Sequence, residues 1–112
     1  MSAYLVVRAV VPEVARRDFD TWYRDEHLPD AVKAFAALRG WRGWSRTDPS
    51  VHYAFYEFAD VAAAEAVGSS PAIKKLIAEF DARWGTSVTR TREVIEVAVA
   101  GSGPAMTGGN DG

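Results

Sequence analysis

The sequence predicts one α+β domain: a four-stranded antiparallel sheet with helical segments packed on one of its faces. Three observations carry this. Stretches rich in β-branched and aromatic residues alternate with helix-period stretches in the order β-α-β-β-α-β. The two middle strands are separated by little more than Asp48-Pro49-Ser50, turn chemistry that makes them a hairpin. The length of 112 residues leaves room for one domain. That element order is the split βαβ, ferredoxin-like arrangement.

Residues Ala3 to Val11 are apolar at almost every position, as expected of a strand covered on both faces, and Pro12 ends it. A helix is predicted over Val14 to His27. Phe19, Trp22, Tyr23 and His27 form one stripe, with Arg16, Arg17, Asp20, Arg24 and Asp25 on the other side. Pro29 removes a donor and disfavours helical angles at Leu28, so the helix is expected to break or kink at His27–Leu28. A second helical piece then runs from about Asp30 to Leu38, stopped by Gly40. Trp41 to Thr47 reads as the second strand and Val51 to Ala59 as the third. In the third strand Tyr53 and Phe55 alternate with Tyr56 and Phe58, so aromatics occupy both faces. Asp60 caps a helix over Val61–Val67. Ser70 and Pro71 start another, whose stripe is Ile73, Leu76, Ile77, Phe80 and Trp84, and Gly85 ends it. Ser87 to Ala100 forms the last strand. The folded domain is thus expected over 1–100. Residues 101–112, with five of the nine glycines, are expected to be a disordered tail.

Composition excludes several classes. A net charge of −2 argues against a nucleic-acid binder. No cysteines means no disulfides and no thiol chemistry. Two histidines 25 positions apart carry no metal-ligand spacing. No phosphate-binding glycine loop and no nucleophile elbow occur. No apolar run suits a membrane span and no signal peptide is visible, so a cytoplasmic protein is expected. Against this plain background, 48% hydrophobic residues and thirteen aromatic rings are many for one small core. Two helical layers cover one sheet face only. The first and third strands are apolar on both, so the open face would be a large exposed patch. Packing it against the same face of a second copy, as a two-fold homodimer, resolves this.

The segment DFDTWYRDEHLP (18–29), a Gly-Trp strand, the aromatic strand ending Tyr56-Glu57-Phe58 and the helix after Asp60 together resemble the EthD-like dimeric α/β-barrel proteins. These are related to the antibiotic-biosynthesis monooxygenase and stress-responsive dimeric α/β-barrel families. The resemblance spans about residues 3–99, and Trp22-Tyr23-x-x-Glu26-His27-Leu28-Pro29 is its most specific part. It implies a homodimer closing two sheets into a barrel. It also implies a cleft in each protomer between helices and sheet, and small aromatic, polyketide-like or lactone ligands. Such proteins often use neither metal nor cofactor.

His27 is the first candidate for chemistry, because its side chain titrates near neutrality. It lies on the apolar stripe one turn after Tyr23. Helix carbonyls freed at the expected break would favour a charged imidazole there. Tyr23 is the second catalytic candidate. Trp22 is a candidate wall for a flat ligand, with core packing as the alternative. Tyr53, Phe55, Trp44 and Arg90 are the candidate substrate-binding residues on the strands, an arginine being suited to an acidic or enolate oxygen. Alternation alone leaves open which sheet face lines the cleft. Glu26 points away from His27 and is expected in a solvated or helix-facing salt bridge. His52, next to a turn, is expected at an exposed edge. The resulting reading is a small cofactor-free enzyme acting on a hydrophobic aromatic or polyketide-like molecule by His-mediated proton transfer, of cyclase, isomerase or monooxygenase type. A non-catalytic dimeric small-ligand binder and a haem-binding or haem-degrading barrel are the alternatives.

Overall fold

The computed structural model describes residues 2–99, 101 and 103. The expected tail at 101–112 therefore lies almost wholly outside the described residues. Strand β1 (Ala3–Val10) pairs antiparallel with β3 (Val51–Phe58) on one side and β4 (Thr89–Glu96) on the other, and β2 (Arg39–Trp44) flanks β3. This is the ferredoxin-like α+β arrangement, with the order β2-β3-β1-β4. No helix among the described residues is long and apolar enough to cross a membrane.

Register decides which side chains share a face. Leu5 lies opposite Tyr56 and Val94, Val7 opposite Ala54 and Arg92, and Ala9 opposite His52 and Arg90. This set faces the helices. Its core members Leu5, Ala9, Ala54 and Tyr56 pack with Phe19, Ile73, Leu76 and Phe80. The other set pairs Tyr4 with Glu57 and Ile95, Val6 with Phe55, and Arg8 with Tyr53, on the face that carries no helix.

The helical layer begins with a 3-10 turn (Glu13–Ala15) and continues as α1 (Arg16–Trp22), a π turn (Tyr23–His27) and α2 (Leu28–Phe35). The disturbance expected at His27–Leu28 is present as a π turn and not as a break. Leu28 keeps helical angles, and its N–H donates to the Tyr23 carbonyl five residues back. One residue of slack takes up the donor that Pro29 lacks, so the chain widens instead of breaking. The helix stops earlier than Gly40. Ala36 turns left-handed (φ 53°), and the Ala37 N–H closes the end on the Val32 carbonyl. Gly40 already lies in β2, where a Cβ would sit 2.7 Å from Val32 Cγ2. Its role is to let β2 pass beneath α2.

Helix α3 (Val61–Val67) is capped by Asp60, whose Oδ1 accepts from the Ala63 N–H at 2.8 Å. Helix α4 (Pro71–Trp84) is capped by Ser70, whose Oγ accepts from the Ile73 N–H at 3.2 Å. Its Ile73, Leu76, Phe80 and Trp84 are buried, as the stripe predicts. Phe19 is fully buried at the centre of the core. Its ring lies 5.3 Å from Trp84, 5.5 Å from Tyr23 and 6.0 Å from both Phe80 and Trp44.

Candidate functional site

The π turn shapes the site. On a regular α-helix, residues five apart diverge by about 140°. The wider turn brings the His27 ring against both of its aromatic predecessors, stacked on Trp22 at 4.6 Å and edge-on to Tyr23 at 4.8 Å. Phe80 of α4 approaches from across the layer at 5.8 Å. The imidazole thus forms a wall between an interior cavity and an open surface groove lined by Trp22, Glu26, Asp30, Glu79 and Arg83.

The interior cavity lies between the sheet and helices α2 and α4. Leu5, Val7, Phe35, Leu76 and Phe80 make most of its lining apolar. Its polar members are Tyr23, His27, Tyr56, Arg90 and Arg92. It is partly open to solvent and offers about 30 Å³, room for roughly two waters. At its floor the Tyr23 and Tyr56 hydroxyls are 3.0 Å apart. Two hydroxyls carry two protons and the contact between them uses one, so one O–H remains to donate to a cavity occupant.

Burial pushes Tyr23 up to about 12, and it holds Tyr56 well above 10. Both are neutral donors at physiological pH. Burial, and then the positive charge of Arg90, lower His27 to about 4. The expected charged imidazole is therefore corrected. The ring's surroundings are aromatic and cationic. A neutral imidazole accepts protons, and this one is available as a base down to pH of about 4. Arg90, only 16% exposed, lays its guanidinium 3.8 Å from the Phe80 ring centroid and reaches Asp81 at 3.4 Å.

A second polar cluster buttresses this one. Asp20 Oδ1 accepts from Arg42 Nη1 and Nη2, both at 2.9 Å, and from Trp44 Nε1 at 2.8 Å. Those bonds hold its carboxyl below the usual range. Arg42 Nη1 also donates to His52 Nε2 at 3.2 Å, which fixes the lone pair on that nitrogen. His52 is not at an exposed edge. It is 1% exposed, because β3 is an inner strand and its even-numbered residues face the helices. Burial and Arg42 lower it to about 3. Its ring lies 4.6 Å from Tyr23 and backs that side chain.

The structure gathers three of the sequence candidates at one place: His27, Tyr23 and Arg90 line the cavity. Trp22 does not line it but backs His27, Tyr23 and Phe80, and it lines the outer groove. Trp44 is on the helix side but is tied to Asp20 and His52, away from the cavity lining. Tyr53 and Phe55 do not line it at all. They stack at 6.1 Å on the helix-free face, since their register positions match Arg8 and Val6. Glu26 is exposed in the outer groove, and among the described residues it forms no salt bridge. Arg92, which the alternation of β4 places on the same face as Arg90, lines the cavity as well. Tyr56 was not singled out as a site residue by sequence, and its parity with Phe58 is the signal that would have found it. Among the described residues no group of three or more His, Asp or Glu side chains could hold a metal ion.

Solved structures with the same architecture include an EthD (ethyl tert-butyl ether D) family protein from Bacillus halodurans, with TM-score 0.68 and 16% identity over 87% of this chain and 99% of that one. This chain shares its fold. SnoaB, a cofactor-independent oxygenase from Streptomyces nogalater, superposes at TM-score 0.61 with 14% identity, over 88% of this chain and 95% of SnoaB. A candidate antibiotic biosynthesis monooxygenase from Deinococcus radiodurans gives TM-score 0.69 with 9% identity, over 92% and 99%. No protein-family model and no curated protein matches the sequence.

Proposed function

We propose that this protein is a small cofactor-free enzyme that removes a proton from a hydrophobic aromatic or polyketide-like molecule, with His27 as the base. The observation that carries the reading is a neutral, titratable imidazole in the wall of an apolar cavity, beside a tyrosine pair with one O–H to spare. His27 takes a proton from a carbon next to a carbonyl or from a phenol. The charge that develops on oxygen is met by the tyrosine O–H. The enolate then reprotonates elsewhere or closes a ring. With dioxygen as co-reactant, a ring CH₂ becomes a carbonyl and the second oxygen atom leaves as water; that SnoaB is a cofactor-independent oxygenase supports including this reaction type. A ring system exceeds those 30 Å³ and extends through the open side of the pocket.

The test is hydrogen–deuterium exchange at the activated carbon of an aromatic ketone such as 2-tetralone, followed by NMR in D₂O. Exchange accelerated by the wild-type protein and lost with His27→Ala supports the reading. Binding without acceleration would leave a ligand-binding protein instead.

The helix-free face supports a homodimer. Tyr4 and Trp41 meet edge-on at 5.6 Å and Trp41 stacks on Phe55 at 5.9 Å, while Trp41 is 38% and Ile95 45% exposed. A Trp41→Asp protein is expected to elute as a 12.2 kDa monomer in light scattering, with the wild type at twice that mass. A monomeric wild type would end the dimer proposal.

A further inference from the structure

We propose that the cavity's occupant carries a carboxylate, held at the β4 edge by Arg90 and Arg92 while its apolar body lies against Phe80 and the tyrosine pair. This rests on the cavity reading above and narrows it to a chemical class. The two arginines stand two residues apart on an edge strand, so both side chains emerge on the helix side, and both line the cavity. Across the ladder from them are Ala9 and Val7, small side chains that leave space above the sheet. Arg90 is half-buried, where an unmatched cation is costly, while Arg92 is exposed and stands at the rim.

Their protein partners do not match that charge. Arg90 reaches Asp81 through one long bond of 3.4 Å to a carboxylate that is 59% exposed, an arrangement worth little. The Phe80 ring offers its face to the same guanidinium. Arg92 has no ion pair among the described residues. Arg92 also borders a surface groove lined by Glu65 and Glu93, so the net positive charge at this edge is small and suits a monoanion better than a phosphate dianion. A planar carboxylate also matches the guanidinium fork. From that anchor the ligand's body extends toward Tyr23, His27 and Tyr56, which places the reacting carbon away from the charged end.

Calorimetric titration with 2-naphthoate and its neutral counterpart 2-naphthamide tests this on the full chain. Wild-type protein is expected to bind the carboxylate at least about tenfold more tightly than the amide. In the Arg90→Gln/Arg92→Gln protein that preference should shrink to about two- to threefold with the amide affinity unchanged, and Arg83→Gln, in the outer groove, should leave it intact. Equal binding of the two probes by wild type overturns the carboxylate and leaves the cavity reading standing. A preference that survives in the double variant overturns it too, by placing the anion elsewhere. Binding of neither probe removes both readings. If the double variant fails to fold, Arg92→Gln alone decides, with loss of about half the logarithm of the preference expected and no loss overturning the proposal.

Discussion

Phe19→Ala is expected to destabilise the protein by about 3–5 kcal/mol, read from urea unfolding. Phe19 is fully buried and touches the aromatic rings of α1, the π turn, β2, β3 and α4 at once. No other side chain joins so many elements, so no neighbour can collapse into the space without breaking another contact. Small domains have about 5–15 kcal/mol in total, and the variant should lose a large share of it. Phe19→Leu keeps most of the volume and should cost about 1–1.5 kcal/mol. A loss below about 1 kcal/mol for the alanine variant would mean that the core is organised around another residue.

The second large effect concerns His27. With His27→Ala, exchange or turnover at the substrate carbon should fall roughly 10²–10⁴-fold, the contribution of one positioned base. The effect should be on kcat rather than on binding, because the imidazole meets the proton in flight and not the body of the ligand. The pH profile gives the sign. The group acts when neutral, and its pKa is lowered from 6.5 to about 4. Activity should therefore hold as pH falls through 6.5 and decline only near 4. Arg90→Gln removes the repulsion that contributes to the shift, so its acidic limb should move upward. A profile falling at 6.5 would show an imidazole in water.

The element types were legible because apolar periodicity is a property of local sequence, and the capping residues Asp60 and Ser70 stand where their helices begin. Helix-end details were less so. Pro29 announced a disturbance, but whether the chain breaks or inserts a π turn depends on Trp22, Tyr23 and Phe80 packing around His27, which no local rule contains. The strand face was hidden for a related reason. Both faces of β3 carry aromatics, and only its pairing with β1 sends Tyr56 inward and Tyr53 and Phe55 outward. His52 was misplaced by its neighbouring turn, although its parity with Tyr56 pointed to the core. His27, Tyr23 and Arg90 were reachable from residue type and position. The Tyr23–Tyr56 pair was not, since it joins residues 33 positions apart.

His27 faces a largely apolar, half-open pocket as a neutral base. Imidazole ¹⁵N and ¹³C chemical shifts at about pH 5.5, where a solvated histidine is mostly charged, test it directly, with His27→Gln assigning the signals. A neutral His27 ring is predicted, together with a change in its shifts when 2-naphthoate is added. A protonated ring at that pH, indifferent to the ligand, would contradict the account.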